Sequence, residues 1–431
     1  MSELDSQLPA TSPRSKTTLF LSTLLHAFTH AYATMLVPLY LLMVRDMNLS
    51  GVQAISLIVT VYSLVYCLGS YGAGVLADRM NRTALLGIGL VGNAIAITLM
   101  GFTRNYELLV ALGVVGGLFG TLFHPSANAL VTAHFPKSPG MAIGLLGCGA
   151  GLGFFAGPQY AGWRASAARW EWMNLSDWQR PLVELGAAGI VVGLLFLLLA
   201  KDVRRPRGED DAHPAVGPTL RNRVIALALV LGCRDFAGVA SLSLVGIYLL
   251  RAHGLDAKRT GFIVGAMMLV SVVINPIFVY FSGGRRRLPT LSAMLVLGGL
   301  VVVTLPMWPL WAVLPVMCVF QTFQLGSYAV SDAATLERVP ADVRGRVVGL
   351  FLLFAGTFAS TGPYVMGAWS DALGEQRMHE PLAYLPLFGT LGALMIIAAF
   401  STPLIAKLGI ADESAISALS EISPATMEPT V

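Results

Sequence analysis

The sequence predicts an all-helical membrane protein with twelve transmembrane helices in two pseudo-symmetric six-helix bundles. Composition is the first observation behind this. Residues AVILMFWYC make up 55% of the 431 residues and charged residues only 12%, about half the charge of a soluble domain, and mean hydropathy is +0.70. The second is a series of twelve apolar runs, each long enough for the roughly 20 helical residues that cross a hydrocarbon core. Helices satisfy their own backbone polar groups in lipid, whereas barrel strands would alternate over about ten residues. The third is the stretch from Lys201 to Arg223, in which ten of 23 residues are charged and Pro206, Pro214 and Pro218 discourage a helix. It reads as a linker (201–223) between an N-terminal bundle (18–200) and a C-terminal bundle (224–406).

In order, the predicted spans are 18–44, 53–77, 84–103, 107–133, 141–163 and 182–200, then 224–250, 260–282, 289–306, 309–334, 346–368 and 384–405. Residues 1–17 are polar and read as a disordered tail, as do the Ser-, Glu- and Pro-rich residues after Lys407. Ala31-Tyr32-Ala33 has the look of a signal-peptidase site, but the apolar run resumes behind it, so span 1 reads as retained. With the N-terminus in the cytoplasm, inner segments hold 18 Lys and Arg and outer segments nine. That bias places both termini inside. Cys67, Cys148, Cys233 and Cys318 all fall in spans without metal-ligand spacing and read as small buried residues. Trp163, Trp170, Trp172 and Trp178 around the main outer loop suit interface anchoring.

Span 2 runs into Gly74-Val75-Leu76-Ala77-Asp78-Arg79-Met80-Asn81-Arg82. Glycine allows close helix approach, Asp78 can cap or pair, and the arginines can reach carboxylates or terminal carbonyls of neighbouring helices. The loop resembles the signature between the second and third helices of the major facilitator superfamily, with Asn81 in place of its second glycine. The resemblance implies the superfamily's fold, and a role for Asp78 and Arg79 in locking the cytoplasmic side. Gly74, Arg82 and Arg344, the last within Val339–Arg346, belong to the same expected gating set.

In span 5, Gly149, Gly153 and Gly157 recur every four residues, forming a face on which another helix can pack closely. The string Gly153-Phe154-Phe155-Ala156-Gly157-Pro158 also resembles the fifth-helix signature of proton-coupled drug antiporters of this superfamily. Gly153, Gly157 and Pro158 therefore stand as gating candidates and equally as ordinary packing. The second half echoes the first: Gly120–Leu130 aligns with Gly326–Leu336 and Gly157-Pro158 with Gly362-Pro363. Two related halves form a transporter plan. Phe123-His124-Pro125 and the His-rich first span resemble the fosmidomycin-resistance-like efflux permeases, although span 1 lacks the acidic residue expected there.

Away from helix ends, the ionisable residues within spans are His26, His30, His124, Arg234, Asp235 and Asp332, all in spans 1, 4, 7 and 10. Thr23, His26, His30 and Thr34 share one helix face, as do Thr121, His124, Asn128 and Thr132. Gln321, Gln324, Tyr328 and Asp332 do the same on span 10. A mid-span charge costs about 2.5–3.5 kcal/mol, so such groups face protein or water. These stripes are expected to line one wet cavity, and the superfamily resemblance implies the same four helices. For His26, His30 and His124 a buried structural hydrogen bond is the plainer alternative. Arg234 and Asp235 point about 100° apart on a helix, so each is expected to seek a partner elsewhere: Arg234 at Asp332 or an anionic substrate group, Asp235 at a histidine or a proton.

The expected function is proton-coupled export of a small organic molecule by alternating access. Uptake of an organic anion by proton symport is the alternative, and a non-transporting receptor or assembly factor the third reading. No nucleophile–base pair, phosphate loop or metal cluster can be assembled, so an enzyme, a cofactor and a metal are not expected. The expected partners are a small-molecule substrate, the proton and membrane lipid, with no nucleic acid. The chain reads as a monomer in the inner membrane.

Overall fold

The computed structural model describes residues 13–167, 174–203, 216–270, 277–278, 281–340 and 343–408. Among them there is no strand. Eleven helical segments are long and apolar enough to cross a bilayer: Arg14–Asp46, Val52–Ala77, Arg82–Met100, Tyr106–His134, Pro139–Ser166, Gln179–Leu199, Pro218–Arg251, Gly284–Met307, Leu310–Leu336, Arg344–Ala372 and Pro381–Ala406. They correspond to spans 1–7 and 9–12. The expected span 8 is represented by the helix Ala257–Met268, and residues 271–276 that would continue it lie outside the described residues. Span 1 begins helical at Pro13 and span 7 at Pro218, each a few residues ahead of its apolar run, because Pro is well tolerated in a helix's first turn.

Local breaks follow from identifiable residues. Span 4 is helical over Tyr106–Gly120 and again over Phe123–His134. Pro125 has no N–H to donate to the Thr121 carbonyl, and the Thr121 hydroxyl ties the break to span 2 by donating to the Tyr66 carbonyl at 2.9 Å. Span 1 tightens into a 3-10 turn at Val37–Leu39 around Pro38, and span 11 widens into a π turn at Leu352–Gly356.

Within the N-terminal bundle, spans 1 and 5 pack backbone to backbone. A Cβ at Gly149, Gly153 or Gly157 would strike the carbonyl oxygen of Thr23, Ala27 or Ala31. The glycine stripe is therefore a helix-packing face, as small residues every four positions allow.

The halves meet on the side away from the termini. Val52 and Gln53 donate their N–H groups to Asp371 at 3.2 and 2.8 Å, and Arg251 reaches the same carboxylate at 2.6 Å. Tyr40 bonds Ser243 at 3.2 Å, and the Tyr364 N–H donates to Thr60 at 3.1 Å. Spans 5 and 8 interlock there too, since a Cβ at Gly162, Gly261 or Gly265 would strike Ala257, Pro158 or Phe155. None of these contacts reaches the terminal-side thirds of spans 2, 5 and 11. There Gly72, Gly74, Gly140, Gly144, Gly147, Gly345 and Gly349 have no atom of the described residues within 4 Å of where a Cβ would lie. The hydrogen bonds named here between the halves thus all lie on the far side.

Two surface expectations need correction. Trp178 is 1% exposed and donates its indole N–H to Asp46 at 2.8 Å, tying loops together rather than anchoring at an interface. Trp163 is 48% exposed and fits the interface reading, while Trp170 and Trp172 lie outside the described residues. None of the cysteines is fully buried: Cys148 is exposed and Cys67, Cys233 and Cys318 are half-buried.

Candidate functional site

The N-terminal wall is built from three imidazoles. His26 and His30 sit one turn apart on span 1, so their rings lie on the same face, with Nε2 atoms 3.0 Å apart. The break before Phe123 carries His124 of span 4 to this pair, with ring centroids 5.1 Å from His26 and 5.8 Å from His30. His26 Nδ1 lies 2.8 Å from the Leu146 carbonyl oxygen of span 5, which can only accept, so that nitrogen carries the proton. Phe123 stacks on His26 at 4.7 Å, Phe154 lies 4.3 Å from His30, and Tyr66 lies edge-on to His124 at 5.9 Å. His26 is buried, and His30 and His124 are half-exposed. The expectation of no metal-type cluster did not foresee this grouping, in which the ligand atoms of the three residues lie within 4.8 Å of one another. Asn128, one turn beyond His124, is exposed, and its carbonyl accepts from Thr132 at 2.8 Å.

The C-terminal wall is a compact charge cluster on spans 7 and 10. Arg234 is fully buried. Its Nε donates to Asp235 at 2.8 Å, its Nη1 donates to Ser331 Oγ at 2.8 Å, and its guanidinium carbon lies 3.7 Å above the Tyr328 ring. The expected separation of Arg234 from Asp235 is therefore wrong. Adjacent Cβ atoms do diverge, but the long arginine side chain folds back and closes the pair. Gln324 donates to the Tyr328 hydroxyl at 3.3 Å. Gln321 is buried, and its Oε1 accepts no hydrogen bond from a described residue. Asp332, one turn beyond Tyr328, is exposed and within electrostatic range of both Arg234 and Asp235.

The expected gating residues behave differently from one another. Gly74 stands in open space, and the side chain of Asp78 lies outside the described residues. Arg79 is exposed. Arg82 donates to the Ala129 carbonyl at 3.3 Å while its N–H donates to Asp202 at 2.9 Å, stitching spans 3 and 4 to the start of the linker. Arg344 makes a local bond to the Val339 carbonyl at 3.1 Å. Pro158 sits against Gly261 of the other half, so the end of the span 5 motif meets the inter-half seam. Asp371, Arg251 and the glycines of span 8 were not singled out in the sequence. Asp371 and Arg251 lie at helix ends, where charge is ordinary, and Gly261-x-x-x-Gly265 was the available signal for span 8.

The family model for the Major Facilitator Superfamily matches residues 19–363. Among characterised relatives, the tetracenomycin C resistance and export protein of Streptomyces glaucescens is 31% identical over 150 residues, covering 35% of this chain and 27% of that protein. The multidrug resistance protein MdtG of Yersinia enterocolitica is 32% identical over 152 residues, covering 34% and 36%. These matched regions span about a quarter to a third of the relatives' lengths. The quinolone resistance protein NorA of Staphylococcus aureus is 22% identical over 372 residues, covering 84% and 89%. A bacterial Spinster homologue in an inward-facing, occupied conformation superposes with a TM-score of 0.75 at 17% identity, covering 93% and 98%. The nucleoside transporter NupG gives 0.73 at 11% identity, covering 91% and 100%.

Proposed function

We propose that this chain, which belongs to the major facilitator superfamily, is a proton-coupled exporter of a small organic molecule, loading its cargo from the cytoplasm. The observation that carries this reading is the asymmetry of the seam: the halves are bonded on the far side through Asp371, while glycines of spans 2, 5 and 11 near the termini meet no atom of the described residues. The Lys and Arg bias supports a cytoplasmic location for the side of the termini. Cargo entering there meets Asn128 and Asp332 before the deeper histidines, Arg234 and Gln321. Rocking of the halves would then transfer access to the other side. The relatives whose names denote resistance or export support the direction of movement.

Uptake of an organic anion has less support. Arg234 is already engaged by Asp235, Ser331 and Tyr328, so its charge is compensated without a ligand. A scaffold role would leave the cost of burying that charge without a use.

The test is transport in everted membrane vesicles that carry an imposed inside-acid pH gradient reported by a fluorescent dye. Adding a cargo from a panel of quinolones, tetracenomycin C and lipophilic cations should dissipate the gradient only when the protein is present. A gradient indifferent to every compound, alongside unchanged drug susceptibility in an expressing host, would overturn export. Cargo uptake with protons in intact cells would establish symport instead.

A further inference from the structure

We propose that His26, His30 and His124 form a binding site for a divalent transition-metal ion of the Zn2+ class, held by three imidazole nitrogens from spans 1 and 4. The site stands on the geometry of the three rings and does not depend on the identity of the cargo or on proton coupling.

Two histidines four residues apart on one helix face supply half of a zinc site, and here the turn geometry already brings their Nε2 atoms to 3.0 Å. The third ligand arrives from span 4, and all three ligand atoms lie within 4.8 Å of one another. Metal–nitrogen bonds of about 2.0–2.1 Å in tetrahedral geometry require nitrogens roughly 3.3 Å apart. Small ring rotations about the positions seen here satisfy that spacing. The Leu146 carbonyl fixes the tautomer of His26: Nδ1 keeps its proton, and the Nε2 lone pair points at His30. A ligating histidine with its second nitrogen bonded to a carbonyl is the usual outer support of a metal site. Phe123 and Phe154 pack against the rings and limit their rotation.

The donor set selects the ion. Three neutral imidazoles without a carboxylate suit Zn2+, Co2+, Ni2+ or Cu2+ and are poor for Mg2+ or Ca2+. Three protein ligands leave one coordination position. His26 is buried and the other two are half-buried, so water or an oxygen or nitrogen donor of a cargo would reach that position past His30 and His124.

The experiment uses the full chain, purified without a polyhistidine tag and stripped with a chelator, and titrates it with Co2+. The expected result is saturation at one equivalent with visible absorption of tetrahedral intensity, displaced by Zn2+. His30→Gln and His124→Gln should each weaken binding by at least the roughly 10- to 100-fold that loss of an outer partner costs. His379→Gln, at an exposed position in a loop on the far side, should leave binding unchanged. His124→Cys should keep the site and add a thiolate-to-cobalt charge-transfer band. If the glutamine variants fail to elute as folded protein, protection of His26, His30 and His124 from acylation by Zn2+ in the unaltered chain decides the question. Absence of saturable binding, a weak octahedral spectrum, equal binding by the folded glutamine variants, or no protection would each overturn the proposal.

Discussion

Asp371 is the residue on which the far-side closure depends most directly. Its carboxylate accepts the N–H groups of Val52 and Gln53 at the start of span 2 and pairs with Arg251 at 2.6 Å. The two backbone bonds cross between halves, so Asp371→Asn should shift the balance between far-side-closed and far-side-open forms. Losing a helix N-cap costs about 0.5–2 kcal/mol, and a hydrogen bond to a charged group contributes about 1.5–3 kcal/mol. Asparagine keeps the shape and one acceptor, so a total of about 2–4 kcal/mol is reasonable. At about 1.4 kcal/mol per decade, that is a population shift of roughly 30- to 700-fold. The reporter is Ser56→Cys, fully buried against Gly367 of the other half, in a background with Cys67, Cys148, Cys233 and Cys318 replaced by serine. A membrane-impermeant maleimide applied from the side opposite the termini should label it slowly with Asp371 and far faster with asparagine. Equal labelling rates in two variants of equal thermal stability would refute this account of the closure.

Other consequences can be checked by thermal unfolding of purified protein. Arg234→Gln alone strands the Asp235 carboxylate in a buried setting and should cost about 3–5 kcal/mol. Adding Asp235→Asn should recover part of that loss, with a coupling of about 0.5–3 kcal/mol. Tyr328→Phe keeps the ring under the guanidinium and should be mild, whereas Tyr328→Leu removes a cation–π contact worth about 0.5–2 kcal/mol. Gly153→Val drives a side chain into the Ala27 carbonyl and should destabilise by about 1–3 kcal/mol, as overpacking does. Gly51→Ala, whose new methyl would meet the Asp371 carboxylate, should reproduce the labelling increase of Asp371→Asn.

Much of this architecture was legible because a bilayer imposes local constraints. The number and length of spans follow from twenty-residue apolar runs, and the stripes at His26–His30 and Gln324–Tyr328 follow from helical spacing alone. The meeting of His124 with span 1 was not legible in the same way. It depends on where Pro125 breaks span 4 and on how closely the glycines let span 5 approach span 1. The Arg234–Asp235 pair was misread because the 100° rule describes Cβ directions and says little about where a guanidinium at the end of a long stem can turn. Asp371 escaped notice since a carboxylate at a helix end is unremarkable until the partner helix from the other half is placed beside it.

The two clusters and the seam divide the protein into parts that should respond differently to mutation. The histidines and the Leu146 carbonyl all belong to the first half, and Arg234, Asp235, Ser331 and Tyr328 all belong to the second. In a rocking cycle each cluster can therefore travel intact with its own bundle. The bonds to Asp371, the Tyr40–Ser243 pair and the glycine contacts between spans 5 and 8 cross the seam and must break and re-form. Substitutions within a cluster should act on melting temperature and ligand binding while leaving access from the two sides balanced as before. Substitutions at the seam should do the reverse. Comparing Arg234→Gln with Asp371→Asn in both assays separates these roles: the first should lower melting without raising Ser56→Cys labelling, the second should raise labelling with little loss of melting temperature. If both variants moved both readouts together, the halves would not be acting as separate rigid bodies.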